Sequence, residues 1–173
     1  MNDKFTVKNV FNFRNKRLSN VITVDPGFNF AVACWYGRKT PKIYYKHGGQ
    51  RIIYNWLPII LREAKTNIDT IAVIEGIDFR DGSKANGLPE LGYMIGMVNA
   101  IFMRYSITPY VISSQTWKGC LNDQQVATRV KLINGKEYLG ARGALNSHIT
   151  DAVGMGFYLT GEFNNENTII IPW

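Results

Sequence analysis

Apolar and β-branched residues form several short runs in this chain, and most of these runs end at a turn or at a charged residue. The run that ends at Asp25 is followed by Pro26 and Gly27, which are common turn residues. The run over 70–74 is continuously apolar, which favours a central strand covered on both faces. Later stretches carry apolar residues at helical spacing. The pattern predicts strands over 21–24, 28–36, 42–46, 70–74 and 110–112, and helices over 50–65, 89–105, 123–133 and 147–159.

The order of these elements predicts the fold class. Three early strands joined by short turns favour an antiparallel meander, and the later alternation of helices and strands favours parallel crossovers. We therefore expect an α/β fold with a mixed five-stranded sheet flanked by helices. The sequence shows no repeat or second domain, so we expect a basic arm over residues 1–20 and a single domain over residues 21–173.

Charge adds a candidate partner to this picture. The formal net charge is +7, and a positive charge of this size favours a polyanionic partner, with nucleic acid the first candidate. The alternative is a basic protein that binds no particular polyanion. Beyond the arm, a second group of basic residues lies between positions 118 and 142.

No feature of the sequence predicts export or a membrane span. The longest nearly apolar stretch, residues 91–103, is shorter than the roughly 18 residues that suggest a span. The two cysteines, Cys34 and Cys120, have no paired spacing, so we expect buried small side chains and not a disulfide or a metal site. We expect a protein of the reducing cytoplasm with no membrane partner.

Three acidic residues lie at the ends of predicted elements. Asp25 and Glu75 each close an apolar strand, and Asp151 lies in the first turns of the last helix. His148 precedes Asp151 by three residues, which places both on one helical face. Mg²⁺ prefers hard oxygen ligands, and a pair of such ions supports phosphodiester hydrolysis. Each acid alone is equally typical of a turn, a strand end or a helix start, so only the set is informative.

Four short motifs occur in the order found in one family of nucleases. They are Asp25-Pro26-Gly27 after the first strand, the acidic strand 71–75, the helix start 91–96 with its two glycines, and the motif 147–152 that contains His148 and Asp151. Each motif is weak alone, but the ordered set, which spans residues 20–160, is more specific. The set resembles the RuvC-type Holliday junction resolvases of the RNase H-like superfamily.

The resemblance implies an RNase H-like fold, a homodimer, and paired nicking of four-way DNA junctions that depends on Mg²⁺ or Mn²⁺, with two ions per active site. It implies that Asp25, Glu75 and Asp151 hold the metal ions, and that His148 is a further ligand or orients the attacking water. Lys118 would stabilise charge on the scissile phosphate. The residues expected to contact DNA are Phe79, Arg80, Lys84, Lys118, Arg129, Lys136 and Arg142.

Two features depart from the family pattern. The basic arm precedes the first strand, where family members usually begin. The aromatic residue that wedges the junction, for which Phe79 is the candidate, is slightly displaced along the loop. No preference for a cleavage sequence therefore carries over. These departures suggest a bacteriophage version of the family, acting in a bacterial or phage-infected cell.

The helix predicted over 89–105 is apolar nearly all round. A surface helix needs one apolar face, so the second face meets either the interior of the same chain or a second copy. Gly92 and Gly96 are four residues apart and would allow close approach. We expect a two-fold dimer through this helix. One apolar stripe consists of Leu91, Ile95, Val98 and Phe102, and the other of Tyr93, Met97 and Ala100.

Two other functions stay open at this point. The same acids would serve a less selective nuclease that trims branched, flapped or packaged DNA, and equal activity on linear and junction DNA would favour it. A DNA-binding module without catalysis is the third candidate. Acidic residues near phosphate repel DNA, which argues against that module.

Overall fold

Five strands form one mixed sheet in this computed structural model, which describes residues 20–36, 40–64, 66, 70–77, 87–140 and 143–163. Across the sheet the strands lie in the order β3-β2-β1-β4-β5. β2 pairs antiparallel with β1 and β3, and β4 pairs parallel with β1 and β5, so the predicted meander and parallel crossovers are both confirmed. The strands are β1 (Val21–Asp25), β2 (Asn29–Trp35), β3 (Lys42–His47), β4 (Ile71–Gly76) and β5 (Tyr110–Ser113).

Helices cover both faces of the sheet. Four of them match the predicted helices with small differences at their ends, and Pro58 lies inside the first without ending it. The short helix α3 was not predicted, because five residues are too few to show a helical period; Ser113 caps it by accepting a hydrogen bond from the backbone N–H of Thr116. The helices are α1 (Gly49–Glu63), α2 (Leu88–Arg104), α3 (Ser114–Lys118), α4 (Asp123–Asn134) and α5 (Ser147–Thr160).

Asparagine side chains cap the two later helices. Asn122 forms a capping box with Gln125 at the start of α4, and Asn146 accepts a hydrogen bond from the backbone N–H of Ile149 at the start of α5. Gly161 ends α5 in the left-handed conformation, with φ of 78°.

Alternate residues of the strands face two separate apolar clusters. Even-numbered residues such as Ile22, Val32 and Ile74 pack with α1 and α2. Odd-numbered residues such as Ala33 and Val73 pack with α4 and α5. This alternation follows from the two-residue period of a strand, and it decides which helix each strand-end side chain meets.

The last helix, α5, packs very closely against the sheet. Thr23 of β1 donates a hydrogen bond from its hydroxyl to the backbone oxygen of Ala152. A Cβ at Gly156 would lie 2.0 Å from the ring of Trp35, and one at Gly154 would lie 2.7 Å from the ring of Trp117. Both positions therefore require glycine.

Two further expectations have mixed outcomes. Cys34 is buried as expected, but Cys120 is exposed because it lies in the turn after α3. The basic arm lies outside the described residues, so the domain limits stay a prediction. Within the described segments, no helix has the length and apolar character needed to cross a membrane.

Candidate active site

Three carboxylates converge at one edge of the sheet. β1 and β4 are adjacent parallel strands, so Asp25 at the end of β1 and Glu75 near the end of β4 lie at the same edge. Both are odd-numbered and face α5, whose second turn supplies Asp151. One ligand atom from each of the three lies within 4.8 Å of the others. The predicted convergence of these acids is therefore seen in the structure.

The acids repel one another in partly dry surroundings. Asp25 and Asp151 are 8% and 7% exposed, and Glu75 is partly buried. Burial, with repulsion from Asp25 and Asp151, raises the pKa of Glu75 well above its ordinary value. Burial also raises the pKa of Asp151 to about 6, although Lys118 opposes this shift. Positive charge nearby would stabilise the ionised form of these carboxylates.

Part of that positive charge comes from α3. Lys118 donates to Oδ2 of Asp151 at 2.8 Å and lies 3.9 Å from Oδ1 of Asp123. Burial lowers the pKa of Lys118, but the neighbouring Asp151 and Glu75 raise it more, so the net shift is upward. No predicted helix or strand included Lys118, and the structure places it as the last residue of α3. Its helix fixes it beside the acids.

His148 adjoins the cluster through Asp25 and not directly. Its Nδ1 lies 2.8 Å from Oδ2 of Asp25, and its Nε2 lies 3.1 Å from Nδ2 of Asn29. The hydrogen bond to Asp25 raises the pKa of His148, while its partial burial lowers it. The structure therefore brings Asp25, Glu75, His148 and Asp151 together. His148 joins this group through its contact with Asp25.

The donor set fits a divalent cation. Oδ1 of Asp151 is buried and has no hydrogen-bond partner among the described residues, and a buried carboxylate oxygen left unpaired is costly. A hard cation held by Asp25, Glu75 and Asp151 would satisfy this atom and offset the repulsion. Oxygen ligands of this kind suit Mg²⁺ or Mn²⁺.

The acids line an open cleft of about 700 Å³. Its apolar lining includes Leu91 and Met94 of α2 and Phe28, which is 60% exposed. Lys118 and His148 line the same cleft. The acids are therefore reached from solvent through an open cleft.

The remaining residues expected to contact DNA have varied positions. Arg129 is half-buried on α4, with its guanidinium 5.6 Å from the ring centre of Phe163. Lys136 is exposed just after α4. Their contact with DNA stays a prediction. Four others, Phe79, Arg80, Lys84 and Arg142, lie outside the described residues.

Sequence reasoning missed two residues that hold the site. The indole Nε1 of Trp117 donates to Oε1 of Glu75 at 3.3 Å, and Asn29 holds His148. Trp117 reaches Glu75 because it lies in α3, and the hydrophobic pattern did not predict this helix. Asn29 is a polar residue that begins an otherwise apolar strand, and this break in the pattern was the available signal.

The sheet order, the flanking helices and the acidic edge define an RNase H-like fold. Two solved structures of Thermus thermophilus RuvC share it at 19% sequence identity, each over 83% of this chain and 93% of the RuvC chain. The TM-score is 0.52 for RuvC and 0.54 for RuvC in complex with a Holliday junction substrate. No protein-family model and no curated protein matches the chain. The bacteriophage origin stays a prediction.

Proposed function

We propose that this chain is a metal-dependent endonuclease that resolves four-way DNA junctions by paired nicks. The observation that carries the proposal is the convergence of Asp25, Glu75 and Asp151 at the strand ends of a RuvC-like fold. The RuvC structure with its Holliday junction substrate supports this substrate over other nucleic acids. The net charge of +7 is consistent with a DNA partner.

The three acids would hold Mg²⁺ or Mn²⁺, two ions per site. When bound, the ions would supply a nucleophilic water at neutral pH and stabilise the leaving oxygen. The chain itself contributes a fixed arrangement of oxygens, because two acids are on adjacent strands and the third is on a helix packed against the first of these strands, β1. Trp117 restrains Glu75 from α3.

Lys118 is the residue that we assign to the scissile phosphate. Its ammonium is held beside Asp151 with only 16% of the side chain exposed, so its position is well defined. A fixed cation beside the acids would balance the charge that develops on a phosphate oxygen. His148 would be a further metal ligand or would orient the attacking water.

The deciding experiment uses a synthetic four-way junction and a linear duplex built from the same arms, each with Mg²⁺. We expect paired nicks on the junction alone, and we expect Asp25→Asn to abolish them while retaining junction binding. Glu137→Gln changes an exposed acid that does not line the cleft; it is the matched control and should cleave like the wild type. Cleavage of both substrates would indicate the less selective nuclease. Binding without cleavage by either protein would indicate a module without catalysis.

The second part of the proposal is a two-fold dimer through α2. The sheet-facing side of α2 buries Met94, Val98 and Phe102. On its other side Tyr93 and Met103 are 58% and 53% exposed. A dimer would place two active sites so that opposing strands are nicked together.

Sedimentation at micromolar concentration tests this dimer. Tyr93→Glu should produce a folded monomer, because a charge would be buried in the interface. Leu132→Glu changes an exposed leucine on α4 that is 64% exposed, and it should leave the association unchanged. A wild-type monomer would contradict this part of the proposal.

A further inference from the structure

A chain of polar side chains runs from the outer strand of the sheet to the active site. Asn29 is the first residue of β2 and lies opposite His47 in the pairing with β3. It is odd-numbered, so its side chain is on the face of the sheet that meets α5. The amide therefore lies between His47 on one side and His148 on the other.

In the structure the amide of Asn29 has its oxygen on the side of His47 and its nitrogen on the side of His148. Its Oδ1 accepts from the hydroxyl of Tyr45 at 3.3 Å and lies 2.7 Å from Nδ1 of His47. Its Nδ2 then faces Nε2 of His148 at 3.1 Å. An amide nitrogen only donates, so Nε2 of His148 has to accept.

This orientation determines where His148 carries its proton. In a neutral imidazole one nitrogen accepts and the other donates. Since Nε2 accepts from Asn29, Nδ1 carries the hydrogen and donates it to Oδ2 of Asp25 at 2.8 Å. Both ring nitrogens are then used within the chain, and neither has a lone pair free for a metal ion.

We propose that Asn29 is a positioning residue that holds His148 as the Nδ1–H tautomer, so that His148 orients Asp25 and does not itself bind metal. The catalytic part of the inference rests on the proposed nuclease function, whereas its geometric part rests on the contacts alone. The inference excludes the role of metal ligand, which is one of the two roles that the family resemblance left open for His148. It also gives a role to the polar residue at the start of β2.

The tautomer can be measured directly, because the chain contains only two histidines. The full-length protein is labelled with ¹⁵N-histidine, and long-range ¹H–¹⁵N correlations are recorded without metal or DNA at alkaline pH, where both rings are neutral. His47→Gln leaves a single imidazole and thereby assigns the signals. We expect His148 to show the Nδ1–H pattern in the wild type.

Substitutions of Asn29 then test the cause. Asn29→Ala should release the ring into a mixture of tautomers. Asn29→Asp should favour the doubly protonated imidazolium, since carboxylates would then face both ring nitrogens and a carboxylate only accepts. Asn122→Ala is the matched control: it removes an asparagine that caps α4 and costs stability, but it should leave the His148 tautomer unchanged. An Nε2–H pattern in the wild type, or no change in Asn29→Ala, would overturn the inference.

Two further readouts complete the test. Addition of Mg²⁺ should leave the Nδ1–H signal of His148 in place, and its disappearance would also overturn the inference. In junction cleavage, Asn29→Ala should lower kcat by about 10–100-fold, the usual loss when a group that supports a metal ligand is removed, with KM little changed. If the wild type cleaves no DNA but the tautomer results hold, the proposed function fails and the positioning role of Asn29 stands.

Discussion

Helices α2 and α5 are both rich in apolar residues and both contain two glycines, but the fold uses them differently. α5 buries nine of its 14 residues, whereas α2 buries three of its 17. In α5 the glycines Gly154 and Gly156 face the rings of Trp117 and Trp35 at distances too short for any Cβ. In α2 a Cβ at Gly96 would meet nothing within 4 Å. The interior of the described chain therefore explains the glycines of α5 but not Gly96 of α2.

The contrast separates two functions of an apolar helix. α5 is a core element that carries Asp151 into the acidic cluster, and its close packing fixes that acid relative to Asp25. α2 packs on the sheet through one face and leaves the other exposed. If the second face of α2 forms the proposed dimer, Gly96 is explained by packing in the dimer interface and not by packing within the monomer. The predictions below follow from this difference.

The largest effect is expected from Gly156→Ala. The new methyl group would occupy the space of the Trp35 ring, and displacement of a buried indole in a packed core costs about 3 kcal/mol or more. Urea denaturation of the free protein measures this loss. A loss under about 1 kcal/mol would show that α5 can move away from the sheet and would weaken the contrast between the helices.

The second-largest effect is a dependence of stability on pH, which we expect Asp151 of α5 to cause in the absence of metal. The pKa of Asp151 is raised to about 6 by burial, so the folded state retains a proton that the unfolded state releases near pH 4. Stability should therefore fall as pH rises from about 4 to 6, by on the order of 2 kcal/mol. Glu75, whose pKa is also raised, acts in the same direction, and the raised pKa of His148 extends the fall in stability above its ordinary value of about 6.5.

Melting temperatures across this pH range measure the effect. Asp151→Asn should flatten the profile, and Mg²⁺ should restore stability above pH 6 in the wild type by replacing the lost protons. Glu90→Gln changes an exposed acid of α2 and serves as the control, with the wild-type profile expected. A profile that rises with pH through this range would contradict the assigned burial of Asp151.

A smaller effect is expected from Gly154→Ala. Its methyl group would lie 2.7 Å from the edge of the Trp117 ring and would shift that ring at a cost of about 1–2 kcal/mol. Because the same indole donates to Glu75, metal affinity should fall as well. Calorimetric titration with Mn²⁺ measures the metal affinity separately from the stability. An unchanged metal affinity would show that Trp117 does not restrain Glu75.

The smallest effect, with the opposite sign, is expected from Gly96→Ala. Alanine is the better helix former, so the monomer should become more stable by about 0.5–1 kcal/mol. The added methyl group on the exposed face should at the same time weaken the dimer. Denaturation and sedimentation of one preparation give both values, and unchanged association would exclude Gly96 from the interface.

Sequence patterns predicted most of the fold because strands and helices have different periods. The short apolar runs predicted β1 to β5, and apolar residues at helical spacing predicted the four longer helices. α3 was missed because one turn of helix has no period to detect. Consequently Trp117 had no predicted role, and the helix that directs Lys118 to Asp151 was not predicted.

The sequence by itself determined which residues are acidic, that Asp25 and Glu75 close strands, and that His148 and Asp151 share a helical face, because these are local properties of the chain. Only the tertiary structure decided that β1 and β4 are neighbours, which brings the acids within 4.8 Å of one another. It also decided that Asn29 reaches His148 across 119 positions of sequence. Such contacts depend on how sheet and helices pack, and packing is set by the whole core and not by any one segment.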